Sequence, residues 1–317
     1  MTAGTLALAC LADAVAGDPR WLPHPVKLMG LVITWCDERV RPHCAGPAAK
    51  RLAGIALAVG LPASAYALGW LAIELAGLVH DLLGRGMELF LAWTTLAARD
   101  LLDHGLAVQR ALVRGSLPEA RAAVALIVGR DTQALPEPEV VRATVETVAE
   151  SASDGVVAPL LYLAIGGAPL ALAYKAISTL DSMVGHLDER HRDFGWASAQ
   201  LDDLANWMPA RATGGLLVLA AGLVFRDLRV VRRAWHVLRR DGAKHPSPNS
   251  GRPEAAMAGA LGVQLGGLNL YDGVPVERPV LGDPGPILTA AHVRLALTLL
   301  ATVAVLAAGA AIGARLL

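Results

Sequence analysis

Long apolar runs separated by short charged blocks set the pattern of this chain. Residues 52–73 carry no charge, and about 22 residues at 1.5 Å each cross a hydrocarbon layer of roughly 30 Å. Arg41, Lys50 and Arg51 precede that run, which places its N-terminal end in the cytoplasm. Residues 75–98 form a weaker candidate, interrupted by His80, Asp81, Arg85 and Glu88. Residues 295–314 make a clean final span between Arg294 and Arg315. The uncharged run 155–174 is broken by Gly166-Gly167-Ala168-Pro169. Gly and Pro in mid-helix cost several kcal/mol, and non-helical backbone at membrane depth needs protein or a water-filled cavity around it. Two half-helices meeting at Gly166 are therefore expected. Residues 213–225 are apolar but fall short of a full crossing.

Between residues 99 and 150 the character is that of a soluble helical insertion. Leu102, Leu106 and Val113 recur at helical spacing, and Ser116-Leu117-Pro118-Glu119 reads as a capping box opening a helix over 118–128. Pro136 and Pro138 precede a helix with Val141, Val145 and Val148 on its apolar side. At the N-terminus, residues 2–12 are apolar and Ala14-Val15-Ala16 resembles a cleavage site. No basic stretch precedes them and Asp13 and Asp18 flank the site, so a retained helix is expected. No strand pattern stands out. The expected fold is all-α: one polytopic membrane-embedded domain over 1–317, with 52–73 and 295–314 its clearest spans, a cytoplasmic insertion at 99–150, and broken or re-entrant helices.

Composition agrees with a membrane protein. The 317 residues are 54% hydrophobic and 18% charged, and the mean hydropathy is +0.46, too apolar for an ordinary soluble domain. A formal net charge of zero argues against nucleic acid as a partner. Cys10, Cys36 and Cys44 form no CxxC pair and read as buried thiols, a zinc site at Cys36, His43 and Cys44 being the minor alternative.

The charged blocks carry the candidate chemistry. Glu146, Glu150 and Asp154 fall at i, i+4 and i+8, stacked on one helical face, and like charges so placed call for a cation or a basic partner unless the face is simply solvated. A second block holds Lys175, Asp181, Asp188, Glu189, Arg190, Arg192, Asp193, Asp202 and Asp203 around Phe194 and Trp196. Pro19, Pro23 and Pro25 stiffen a loop that presents Asp18, His24 and Lys27, or else a connecting turn at the membrane surface. Six arginines between Arg226 and Arg240 mark a cytoplasmic end beside anionic lipid, or an anion site. The loop from Lys244 leads to a helix started by Pro253, whose N–H groups could hold an anion with Lys244 and Arg252, or whose small residues could serve close packing. No Walker loop occurs.

Four stretches carry a resemblance: GDPRWLPHPVKLMG, ETVAESASDGVVAPLLY, GGAPLALAYKAISTLDSMVGHLDERHRDFGWASAQLDDLANWMPAR and HPSPNSGRPEAAMAGALGVQLGGLNLYDG. In this order, over about residues 8–284, they resemble the adenosylcobinamide-phosphate synthase family of cobalamin biosynthesis. The resemblance implies an integral membrane ligase that uses ATP and Mg²⁺. It would join (R)-1-amino-2-propanol or its O-phosphate to a propionate carboxylate of adenosylcobyric acid. A homo-oligomer, or a complex with later membrane enzymes of the pathway, fits the same picture. A carboxylate oxygen is a poor leaving group, so an acyl phosphate or adenylate must come first, made with Mg²⁺ on carboxylates and cations on phosphates. Glu146, Glu150, Asp154 and Asp181 are the metal candidates; Lys175, Arg190, Arg192 and Lys244 are the phosphate candidates. Asp18, Asp202, Asp203, Ser247, Asn249 and Glu254 are further substrate-binding candidates. His24 or His245 is the candidate base for the attacking amine, and Lys175 is the third catalytic candidate.

Two departures are visible. Relatives commonly read Glu-Asn-Thr/Ser-Ser-Asp where Ser151-Ala152-Ser153 separates Glu150 from Asp154 here, and His186 stands at a commonly aromatic position. A shared cytoplasmic face for residues 175–209 and 245–273 requires 213–225 to be re-entrant or a hairpin. A transporter or a sensor sharing the fold is the alternative reading.

Overall fold

Caps, glycines and prolines decide where the helices begin and end. The structure, a computed structural model, describes Met1 to Leu317 except Arg20, Leu22, Pro23, Leu187 and Asp272. Pro23 of the proline-stiffened loop thus lies outside the described residues. In chain order the helices are α1 (Ala3–Ala16), α2 (Pro25–Trp35), α3 (Gly46–Val79), α4 (Asp81–Trp93), α5 (Ala98–Val113), α6 (Leu117–Val124) and α7 (Glu137–Ser151). A π-helical turn (Ala152–Val157) follows, then α8 (Ala158–Val184), α9 (Trp196–Ala205), α10 (Trp207–Phe225), α11 (Leu228–Asp241) and α12 (Gly251–Leu261). A hairpin of β1 (Leu265–Tyr271) and β2 (Val274–Leu281) precedes α13 (Ala290–Ala314). Four helical runs are long and apolar enough to cross a membrane: Gly46–Val79, Glu137–Val184, Trp207–Phe225 and Ala290–Ala314. The architecture is that of an all-α membrane protein with one small sheet. The chain divides into two compact units, Met1–Ala97 with Ala158–Asn206 and Ala308–Leu317, and Ala98–Val157 with Trp207–Ala307.

In the first unit, Thr2 caps α1, its hydroxyl accepting from the Thr5 N–H at 3.1 Å. α3 runs 34 residues through Pro62 and stops at His80, which turns to extended backbone and accepts from the Leu82 N–H at 3.1 Å. This corrects the second crossing expected over 75–98: the cap at His80 leaves α4 only 13 residues, too short to span. The break in the 155–174 run is real and falls at Gly167 (φ 72°, ψ −165°), a conformation open essentially to glycine alone. Four residues before the break, the Leu163 carbonyl accepts from Arg315 Nη2 at 2.9 Å. Tyr162 stacks on Tyr174, centroids 4.8 Å apart, and their hydroxyls fasten α9 through the Ala205 carbonyl and Asn206 Oδ1. Phe194, fully buried with Ile33, Leu180 and Val184, is seated by two glycines. A Cβ at Gly54 would stand 1.9 Å from the Phe194 carbonyl oxygen, and one at Gly195 1.6 Å from that of Val184.

In the second unit, Val141, Val145 and Val148 are buried as their spacing requires. The capping box does not form: Ser116 makes no capping bond, because Arg114 draws Glu119 away at 2.7 Å, and α6 ends at Val124. α10 is one unbroken helix of 19 residues beginning six residues before the apolar stretch, which removes the hairpin alternative over 213–225 and leaves the re-entrant one. Thr213 stays helical by donating to the Pro209 carbonyl at 2.8 Å. α12 starts at Gly251 rather than Pro253 and is packed for closeness: a Cβ at Gly259 would lie 2.7 Å from Ala234 Cα of α11. Arg233 donates to the Gly259 and Ala260 carbonyls at that helix's C-terminal end.

The hairpin overturns the expectation of no strands. β1 and β2 pair antiparallel from Leu265↔Leu281 to Tyr271↔Val274. Glycines at 262, 266 and 267 and the prolines of β2 dilute the alternation, yet Asp272-Gly273 is a hairpin signal in itself. The outer edge of β1 docks on the preceding helical region, its Leu270 carbonyl accepting from the Asp131 N–H (2.8 Å) and its Leu268 carbonyl from Arg142 Nη2 (2.9 Å).

Candidate functional site

The second unit gathers a buried charged cluster where α7, α12 and the hairpin meet. Glu146 is 7% exposed, so its charge must be answered inside the protein. Its Oε1 accepts from Arg142 Nη1 at 3.0 Å and from the Gly266 N–H at 2.7 Å, and its Oε2 accepts from Arg130. Asn269 Oδ1 accepts from both guanidiniums, at 2.6 Å from Arg130 and 2.9 Å from Arg142. The basic partner demanded by the acidic spacing is thus supplied from one helical turn earlier and from the adjoining loop. The expected single face ends at Ser151, because the wider π-helical turn carries Asp154 out of line with Glu146 and Glu150.

Glu150 is exposed, and the Ser250 hydroxyl donates to it at 2.9 Å. Glu254, on the first turn of α12, is 7% exposed. Burial, then the charges of Glu150 and Glu146, hold its carboxyl well above the usual range against the opposing pull of Arg278 and Arg130. His245 sits beside them, its pKa pushed down to about 4 by burial and by the Arg278 guanidinium. Its Nδ1 accepts from the Ser247 N–H at 3.0 Å, and Arg278 Nη1 lies 3.0 Å from Nε2. A neutral imidazole has one ring lone pair to offer, so His245 can accept from the Ser247 N–H or from Arg278 and not from both. Among the described residues Arg278 has no carboxylate ion-pair partner.

The other expected residues of this unit are tied into its turns. Lys244 pairs with Asp241 at 2.6 Å; Arg240, Lys244 and the Gly282 N–H together hold that buried carboxyl far below the usual range. Ser247 Oγ accepts from the Asn249 and Ser250 N–H groups at 3.3 and 3.4 Å. Asn249 is buried and Asp154 half-buried.

In the first unit a second polar group forms around His24. His24 caps α2, Nδ1 accepting from the Val26 N–H at 3.2 Å, with Nε2 3.7 Å from Asp18. Burial lowers its pKa, Asp18 opposes, and Lys27 and Lys175 lower it further. Lys175 and His24, from separate motifs, therefore belong to one electrostatic neighbourhood. Asp181 is half-buried near the end of α8, its carbonyl accepting from the Gly185 N–H at 2.8 Å. Arg190 is paired with Asp37, which also accepts from Arg41 at 2.6 Å, and Arg192 is exposed. Asp202 accepts from Asn206 at 3.0 Å, with Asp203 half-buried beside it on α9.

The expected site residues thus divide between the units: Glu146, Glu150, Asp154, Lys244, His245, Ser247, Asn249 and Glu254 in one, and Asp18, His24, Lys175, Asp181, Arg190, Arg192, Asp202 and Asp203 in the other. Among the described residues no three His, Cys, Asp or Glu side chains are placed to hold a metal ion, at Cys36, His43 and Cys44 or at the acidic motif. Sequence reasoning missed Arg130, Arg142, Asn269 and Arg278. Arg142 had a signal, standing three residues after Glu139 and four before Glu146.

The family model described as CobD/Cbib protein matches residues 6–300. The chain belongs to the CobD/CbiB family. Its relatives include the cobalamin biosynthesis protein CobD of Geobacter metallireducens, 55% identical over 89% of this chain and 87% of the relative. The cobalamin biosynthesis protein CbiB of Salmonella typhimurium is 43% identical over 89% and 88%. No solved structure matches. The part of the chain matched to the CobD/CbiB family takes in both polar groups, from Asp18 to Arg278.

Proposed function

We propose that this chain acts in cobalamin biosynthesis as an ATP-dependent amide ligase. It joins (R)-1-amino-2-propanol or its O-phosphate to a propionate carboxylate of adenosylcobyric acid, at the inner membrane with its site on the cytoplasmic side. The observation that carries the reading is the meeting of two motifs at Glu150 and Ser250, next to Glu254, His245 and Arg278.

Such a site suits carboxyl activation. Arg278 offers a guanidinium to an anionic group, phosphate or carboxylate. Glu254, held protonated, can donate a hydrogen bond where charge develops. His245 in this cluster is shifted toward the neutral form, the form a proton acceptor needs, and its lone pair would have to leave its present donor to take the amine proton; His24, in the other unit, is shifted in the same direction. Both oxygens of Glu146 are engaged, so we assign it to positioning Arg130 and Arg142. Among the described residues no cluster forms a resident Mg²⁺ cage. Mg²⁺ instead fits as part of the MgATP substrate, whose phosphates supply most of its ligands and leave room for Glu150 or Asp154 in the second unit, or for Asp181 in the first. Lys175, Arg190, Arg192 and Lys244 remain the candidates to meet phosphate.

Purified protein supplied with adenosylcobyric acid, ATP and either amine should form the amide, read by mass spectrometry. No amide with either amine, in protein that retains its fold, would overturn the reading.

A further inference from the structure

A cleft of about 1140 Å³ opens wholly within the second unit, walled by residues 131–142, the hairpin and residues 284–288. Its size exceeds the roughly 300–1,000 Å³ of pockets that enclose drug-sized ligands. Its charged lining is Asp131, Glu139 and Arg142, with Arg142 paired to Glu139 as well as to Glu146. The rest is apolar, glycine or uncharged polar, including the exposed amides of Gln133 and Gln264. Gly267 (φ 89°) faces open space, leaving backbone approachable on one wall.

Three substrates compete for such a site under the reading given above, on which this inference rests. ATP is a polyanion, and a wall with two carboxylates and one committed guanidinium repels it. The amino alcohol, with or without phosphate, is far too small. The corrinoid alone has the bulk, and its rim of carboxamides matches uncharged amides and exposed backbone. We propose that this cleft seats the corrin macrocycle, with ATP bound elsewhere. The Arg142–Glu146 ion pair then links the cleft wall to the cluster at Glu150 and Glu254.

The test uses the full chain in detergent and two fillers entering from opposite walls, Ala134→Trp and Gln264→Trp. Binding of adenosylcobyric acid is followed by its visible absorbance on co-elution, alongside KM for each substrate and thermal unfolding. Each filler should weaken corrinoid binding and raise the corrinoid KM at least tenfold, with KM for ATP within twofold and Tm unchanged. Fillers that bind corrinoid like the unaltered protein, or that raise both KM values alike, overturn the assignment. So does displacement of co-purified phospholipid with corrinoid binding intact, which would give the cleft to an acyl chain. If the unaltered protein itself neither binds corrinoid nor forms amide, the proposed function fails with it; binding by the unaltered protein and both fillers alike removes the cleft alone.

Discussion

The Ser250 hydroxyl donates to the Glu150 carboxylate at 2.9 Å, joining segments a hundred residues apart. Because Glu150 is exposed, this bond contributes little to stability and should show in the reaction. Ser250→Ala and Glu150→Gln should each lower kcat/KM about tenfold, with a coupling of about 1 kcal/mol in the double-mutant cycle. Strict additivity would mean the two act separately.

Arg142 and Glu146 are buried together, and removing Arg142 leaves Glu146 with only Arg130 and the Gly266 N–H to answer its charge, while Glu139 loses its guanidinium. Arg142→Ala should destabilise by about 3–5 kcal/mol, seen as loss of the folded fraction in denaturant. Arg114→Ala, breaking the exposed pair with Glu119, should cost less than about 1 kcal/mol. Equal losses would remove the argument from burial.

Glu254 and His245 give opposite pH dependences. Glu254 keeps its proton when folded and releases it near pH 4.3 when unfolded, so its contribution is full below that pH and declines as pH rises toward the raised folded value. Glu254→Gln should gain stability relative to the unaltered protein as pH rises above about 4.3. His245 is neutral when folded, so its contribution is full above about pH 6.5 and is lost as pH falls toward about 4. His245→Gln should flatten that acid limb. Tm against pH in one buffer series reads both; parallel curves would show ordinary titration at both positions.

At Gly167 a side chain is forbidden by backbone conformation. Gly167→Ala should cost about 1–3 kcal/mol or force α8 straight, lowering Tm and activity together. Gly215→Ala, in α10 with open space at its Cβ, should be neutral or mildly stabilising. A Gly167→Ala protein with unaltered Tm and kinetics would mean the break has no consequence.

Sidedness is open to labelling. Single cysteines replacing the exposed Ser182 and Ala243, in a background without the native three, should react with an impermeant thiol reagent in inverted vesicles and not in intact cells. Labelling from opposite sides would mean that α10, which is long enough to do so, crosses the membrane, and would rule out a shared cytoplasmic face for residues 175–209 and 245–273.

The apolar runs were legible in the sequence because membrane spans are long and uncharged. The Gly-Pro break was legible because glycine and proline act locally. The length of α4 was not: His80 reads as an interruption in a hydrophobic run, whereas its ring caps the next helix. The hairpin escaped because its alternation is diluted by Gly266, Gly267, Pro275 and Pro279, although Asp272-Gly273 was in view. At the site, Glu146 and Glu150 stood out by spacing. What answers Glu146 came partly from Arg130, 16 residues before it, with Asn269, 123 residues after it, accepting from the same guanidinium, an arrangement only the fold creates.

Gly54 and Gly195 fasten the segment before Phe194 by what they lack. Most loops can be retuned over generations, one methyl group at a time, each step nearly neutral. Here the smallest step from hydrogen to methyl already collides with a carbonyl oxygen at 1.9 Å or 1.6 Å. The evolvability of this loop therefore resides in the residues it displays, such as Arg190 and Arg192, and not in where it is anchored. Its reach can be exchanged while its mooring stays put.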